Sequence, residues 1–361
     1  MNAEQVAKSL AANFLMKGNY DALDSGLGRK AAARYATPAA MDALNEYFVE
    51  ETGFAGLAVH SVGYTKGAND EKVIIYVTRG SKKEFKELPE NVEDVEIVAQ
   101  VMGKIRAGPA PGMALQGIGN FYEHKGRIAC GSSCAPSNQA YSGTLGALFT
   151  SGTQKFALSN NHVFAACNHT PVGMPILAPS TRDARPNRRP PTAFCNYERM
   201  EELRSGEPSL VDPMRRDTAI GRLIDPALTS SWQGDAVEGY DTPNKTSAPV
   251  SEMNVKKFGR TTGLTFGTIE AFEPAPWVLA YKSNKFSATV WFIDTWTVRS
   301  NDSDPFALEG DSGSLIVTDD GKTAVGLLFA VNNRGEYGIM MPIEDVIDWY
   351  GNVQLLSGHG V

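Results

Sequence analysis

Several features that would place a chain quickly are missing from this sequence. No apolar run approaches the roughly 18 residues of a membrane-spanning helix, so no membrane partner is expected. The opening residues, MNAEQVAKSLAANFLMKG, have no basic stretch followed by an apolar one, which excludes a recognisable secretory leader. There are only four cysteines, Cys130, Cys134, Cys167 and Cys195, and no CxxC pair. Four cysteines allow three disulfide pairings, among which spacing does not choose. With no leader, free thiols in a reducing, cytoplasmic setting are the expectation. The missing CxxC and the scatter of the five histidines argue against zinc. Basic charge is not in excess either. The formal net charge of -7 argues against general nucleic-acid binding, which needs a basic footprint. No tandem repeat or low-complexity tract occurs.

What is present is ordinary globular material: 361 residues, 42% apolar and 21% charged, enough for about two domains. Residues 1–52 read as helical. Val6, Leu10, Ala11 and Phe14 recur at helix spacing, and Thr37-Pro38 looks like an N-cap followed by a first-turn proline. GLAVHSVGY (56–64) and KVIIYVTRG (72–80) then read as strands joined by a turn-rich TKGAND. A Gly- and Pro-rich stretch over 107–120 is the natural linker. Beyond it lie short apolar strands separated by turns, a pattern of an antiparallel barrel or sandwich. IEDVIDWYG, near the end, has helix spacing and a closing glycine. The division expected is an α+β domain over 1–110, a linker over 111–120, a mainly β domain over 121–352 and a tail over 353–361.

Three motifs carry chemistry. Hydrolysis by serine needs an exposed hydroxyl, an imidazole to take its proton, a carboxylate to orient that imidazole, and amides to hold an oxyanion. Ser312 sits in Glu309-Gly310-Asp311-Ser312-Gly313-Ser314, where two glycines permit a sharp turn that aims the amides of Gly310 and Ser312 at one point. By itself such a run is equally an ordinary polar turn. His162, in Ser159-Asn160-Asn161-His162-Val163, ends an apolar strand. His60, His124, His169 and His359 lack either that strand or that position ahead of Ser312. Asp217, in Arg216-Asp217-Thr218-Ala219-Ile220, leads into small and apolar residues and suits a buried orienting acid. Asp212 is the competing carboxylate, but Pro213 follows it.

These three motifs resemble those of the chymotrypsin-fold serine proteases, in the order His–Asp–Ser. GRTTGLTFGTI (259–269) is similar to the hairpin that opens the second barrel in bacterial members. A nearer resemblance, through GTLGALFT, LSNNHVFA, DTAI, GDSGSLIV and GLLFA, is to the plant narrow-leaf proteins and their bacterial relatives, trypsin-like proteins of the cell interior. The resemblance implies a mainly β chymotrypsin-like double β-barrel behind a small α+β domain. It also implies a peptidase with no metal or organic cofactor and a protein or peptide as substrate. Phe306, six before the serine, would floor the specificity pocket, and Phe329, Ala330 and Val331 would line its wall. An apolar cleavage-site residue follows, unless Asp302 or Asp304 reaches the pocket.

The departures matter. Val163 and Leu308 stand where secreted animal enzymes carry cysteines. In those enzymes the counterpart of Asp311 pairs with a terminus freed by cleavage, and no processing site is evident here. The N-terminal domain is then either regulatory or an appendage that stabilises the chain or makes a homo-oligomer. STRDARPNRRPPTAF (180–194) reads as a soluble extended loop or as an exosite for an acidic substrate. Two rival functions accompany the peptidase: a non-catalytic protein-binding module on the same fold, and a regulated effector that cleaves one partner. A stress protease with a peptide-binding domain finds no room after the last helix.

Overall fold

The computed structural model describes residues 1–17, 19–20, 57–79, 88–107, 119–184, 190–206, 210–282 and 287–359. The Thr37-Pro38 cap and most of the expected linker lie outside them.

The chain is mainly β and forms two barrels, as the resemblance implies; the strand pattern alone leaves barrel and sandwich open. In the second barrel, strands Asn254–Gly259, Leu315–Thr318, Ala324–Asn332, Tyr337–Pro342, Thr295–Ser300 and Gly263–Glu273 hydrogen-bond in that order. The last pairs back onto the first, so the six strands close. Closure removes the sheet edges and buries both ends of the apolar runs. AVGLLFAVN (324–332) is buried at every position and reads accordingly as a continuous apolar run. The first barrel is built from Ala147–Ser151, Gln154–Ser159, Ala219–Leu223, Thr192–Met200, Pro175–Ala178 and Ser133–Pro136, again in hydrogen-bonded order. Its open side is drawn together by Gly131 N–H to Leu145 O (2.7 Å) and Leu145 N–H to Ser132 O (2.9 Å). Each barrel has its own apolar cluster, the first including Leu145, Leu148, Phe164, Ile176 and Phe194.

The N-terminal elements extend the second barrel. Strand Ala58–Tyr64 joins it at Tyr64, opposite Phe272, and then pairs with Val73–Arg79, which in turn runs parallel to Val95–Val101. Helix Ala3–Lys17 packs on Ala58–Tyr64. Its Val6, Leu10 and Phe14, at helix spacing in the sequence, are buried in the same apolar core as the second barrel. The two strands anticipated at 56–64 and 72–80 are therefore present, with ends trimmed by one or two residues.

Two further pieces bear on the cleft. A hairpin of Trp277–Lys282 and Ser287–Phe292 forms its own two-stranded sheet. A two-residue strand, Ile105–Arg106, lies antiparallel on Ala324–Asn332. The helix read at the C-terminal end, Ile343–Tyr350, stops at Gly351, whose φ of 64° suits a residue without a side chain.

Candidate active site

Strand Gln154–Ser159 ends in a single helical turn, Asn161–Phe164, and that turn carries His162. The two asparagines before the histidine explain the local sequence. Asn160 Nδ2 donates to the Asp217 carbonyl at 2.7 Å, and Asn161 Nδ2 donates to the Glu201 carbonyl at 2.7 Å. Together they fasten the histidine turn to the segment that bears the aspartate. Asp217 itself is wholly buried. Its Oδ2 accepts from His162 Nδ1 at 2.6 Å, and its Oδ1 accepts from the His162 amide at 3.2 Å. A carboxylate only accepts, so this contact keeps the proton on Nδ1 and leaves Nε2 free to act as a base. Asp217, not Asp212, is thus the carboxylate that meets the imidazole.

The Ser312 loop is seated against the first barrel. Thr144 N–H donates to the Ser312 carbonyl at 2.9 Å, and Thr144 Oγ1 donates to the Gly310 carbonyl at 2.8 Å. Gly313, at φ 97°, rests on Thr144 and Ser159, three residues before His162, and a Cβ there would overlap both. Gly310 has a φ of 100°. Such angles cost a residue with a side chain roughly 1–2 kcal/mol, which explains the glycines flanking the serine. Among the described residues, the amides of Gly310 and Ser312 donate to no protein group, whereas those of Asp311, Gly313 and Ser314 are all paired. Two unpaired amides on one tight turn are what an oxyanion requires.

The serine hydroxyl donates to the Phe329 carbonyl at 3.4 Å, and no hydrogen bond joins it to His162. The structure brings the histidine and aspartate into direct contact, and the serine loop rests on Thr144 and Ser159 of the first barrel. The expected pocket residues line up beside it but are sealed: Phe306, Phe329 and Ala330 are fully buried, and Val331 nearly so. Phe329 lies under the hairpin, its ring 4.9 Å from Phe292 and 6.3 Å from Trp277. The Phe306 ring sits inside the barrel against Gly267 and Gly338. Asp302 and Asp304 are exposed.

Four residues of the site gave little sign in the sequence. Tyr281, on the hairpin, donates its hydroxyl to Asp217 Oδ2 at 2.7 Å, the same oxygen that His162 meets. Burial, and then the Asp217 charge, raise the Tyr281 hydroxyl well above its ordinary range, so it stays a donor. It fixes the carboxylate and withdraws charge from it. Changing Tyr281 to phenylalanine is expected to lower kcat about ten-fold with KM unchanged, the cost of one hydrogen bond to a charged group. A change confined to KM would show that Tyr281 only shapes the cleft.

Lys257 is the second. Its Nζ lies 3.7 Å from Asp311 Oδ2, and both side chains are fully buried. Asp311 also accepts from the amides of Thr261 (2.7 Å) and Leu308 (2.9 Å) and from Thr262 Oγ1 (2.8 Å). The buried Asp311 carboxylate thus has a lysine ammonium beside it. Lys257→Met leaves a buried carboxylate without its cation, and a loss of about 3 kcal/mol is expected in chemical denaturation. An unchanged midpoint would count against the pair.

The remaining two form an ion pair across the barrels. Arg260, in the turn between the second barrel's first two strands, is fully buried. Its Nε donates to Asp183 Oδ2 at 2.8 Å, and its Nη2 donates to Asp183 Oδ1. Asp183 also accepts from Ser133 Oγ (2.5 Å) and the Gly119 amide (2.9 Å). Burial opposes its ionisation, but the bonds from Arg260 and Ser133 outweigh this and hold the carboxyl well below its usual range. Asp183 belongs to the stretch read as an exposed loop. Its neighbours at 185–189 are outside the described residues. The four cysteines are all free and buried, and burial pushes the thiols of all four up, out of the reactive range.

Residues 241–356 match the family profile of the Nal1 C-terminal domain. No curated protein matches the chain. Among solved structures, the chain is similar to a glutamic-acid-specific serine protease described as using a histidine triad in substrate binding. Identity is 16%, with a TM-score of 0.42, over 63% of this chain and 100% of that one. It is similar to Thermobifida fusca protease A at 16% identity and TM-score 0.42, over 64% and 100% of the two chains. It is similar to a Nocardiopsis protease at 17% identity and TM-score 0.42, over 63% and 97%. The resemblance to the narrow-leaf proteins read from the motifs recurs in the family profile over residues 241–356.

Proposed function

We propose that the chain is a serine endopeptidase in which His162 is general base and then general acid, Asp217 orients it, and Ser312 attacks the scissile carbonyl to form an acyl-enzyme. The observation that carries this reading is the buried Asp217–His162 contact set beside a serine loop with two unpaired amides. In the reaction, Nε2 of His162 would take the Ser312 proton as the hydroxyl attacks. The amides of Gly310 and Ser312 would hold the oxyanion, and the imidazolium would return its proton to the leaving amine. Asp217 would remain ionised throughout and stabilise the imidazolium. The substrate would be a protein or peptide. The apolar Phe329 beside Ser312 supports an apolar residue at the cleavage site. Four free thiols support a cytoplasmic place of action. Among the described residues no helix is long and apolar enough to cross a membrane.

A second reading, a protein-binding module that keeps the fold without the chemistry, draws on the Ser312 hydroxyl pointing to the Phe329 carbonyl instead of to His162. A fluorophosphonate separates the two. Covalent labelling of Ser312 is expected of the peptidase, and a chain that stays unlabelled is a binder.

A further inference from the structure

The Ala324–Asn332 strand passes directly beside the candidate nucleophile, because the Phe329 carbonyl receives the Ser312 hydroxyl. A peptide with its scissile carbonyl at Ser312 would run along this strand, adding to it as an extended partner. That place is already taken. Arg106 pairs with Val331, and Ile105 with Asn332, in antiparallel register. Asn333 N–H donates to the Lys104 carbonyl at 2.9 Å, and Asn332 Nδ2 donates to the Met102 carbonyl at 2.8 Å. Arg106 Nη1 also lies 3.5 Å from Glu309 Oε1, next to Gly310. The segment then leaves the strand: Ala107 bridges in parallel to Tyr281 on the hairpin. The described part of the segment ends at Ala107.

The segment pairs with the strand over two residues only. An open-sided cavity of about 200 Å³ adjoins it, lined by Tyr20, His60, Lys104, Ile105, Val278 and Ala280 among others. His60 Nε2 and the Tyr20 hydroxyl are buried there without a hydrogen-bond partner. A ladder of two residue pairs beside a cavity is the kind of structure that opens locally at low cost.

We propose that Lys104–Ala107 is an internal competitor, occupying the edge of the Ala324–Asn332 strand that an extended substrate needs, so that the peptidase works only when this segment is displaced. The inference rests on the peptidase reading above and gives the N-terminal elements a regulatory part. The hairpin that the segment bridges to lies over Phe329.

Two probes test it. A small alkyl fluorophosphonate needs only Ser312 and its amides. A tetrapeptidyl diphenyl phosphonate ending in a phenylalanine analogue needs the strand edge as well. Arg106→Pro in the full chain removes an amide and the Glu309 contact. Arg106→Glu sets like charges together and carries the test if the proline chain fails to react with the small probe. The small probe should label wild type and variant at equal rates, and the peptidyl probe should label the variant about ten- to thirty-fold faster, the equivalent of one or two lost hydrogen bonds. Equal peptidyl rates overturn the competitor while leaving the peptidase intact. If the small probe labels neither chain, the peptidase reading itself fails.

Discussion

Ser312→Ala should lower peptide hydrolysis by about 10⁶-fold while the chain keeps its thermal midpoint. The two halves of that expectation have separate grounds. Activity falls because the acyl-enzyme cannot form, and neither His162 nor the amides can act on an attack that does not occur. Stability holds because the hydroxyl makes only one long hydrogen bond, to the Phe329 carbonyl at 3.4 Å. The loop is kept in place instead by Thr144, Lys257 and the bonds to Asp311. Calorimetry and fluorogenic-peptide assays on the Arg106→Pro background give both numbers. Cleavage by the alanine chain at the parent rate would remove Ser312 from the mechanism.

Asp217→Asn should cost about 10⁴ in kcat, with little change in KM. Asp217 Oδ2 accepts from both His162 and Tyr281, and Oδ1 accepts from the His162 amide. An asparagine has one accepting oxygen and one donating nitrogen. If the oxygen faces Tyr281 and His162, the nitrogen meets the His162 amide, donor against donor. If it is turned over, the amide nitrogen faces Nδ1 and drives the imidazole proton onto Nε2, where it blocks the base. Either outcome also removes the negative charge that stabilises the imidazolium. A loss of less than about ten-fold would mean that the histidine is oriented by something other than this carboxylate.

Much of this was readable in the chain before any coordinates. The strand-and-turn texture beyond residue 120 gives an antiparallel β domain, and Val6, Leu10 and Phe14 give the first helix, because those patterns follow from local periodicity. His162 and Asp217 were separable from their rivals because each adjoins a run that must be buried. Tyr281 was not legible. A tyrosine in WVLAYK looks like any strand aromatic, and its partner lies 64 residues away. Lys257 and Asp183 were hidden for a similar reason. A lysine in a barrel strand and an aspartate beside arginines both suggest solvent, and only the fold reveals the buried opposite charge. Ile105–Arg106 is harder still. Two residues have no period, and their pairing with 331–332 is decided by the path of the chain over more than two hundred residues.

The Arg260–Asp183 pair has a mechanical consequence. It stitches the turn of one barrel to the other through two parallel N–H···O bonds between fully buried side chains. Rocking the halves against each other would part a buried guanidinium from its carboxylate, at a cost of several kcal/mol. The crevice therefore keeps a fixed width, and entry is gained by peeling back what covers it instead of by swinging its walls.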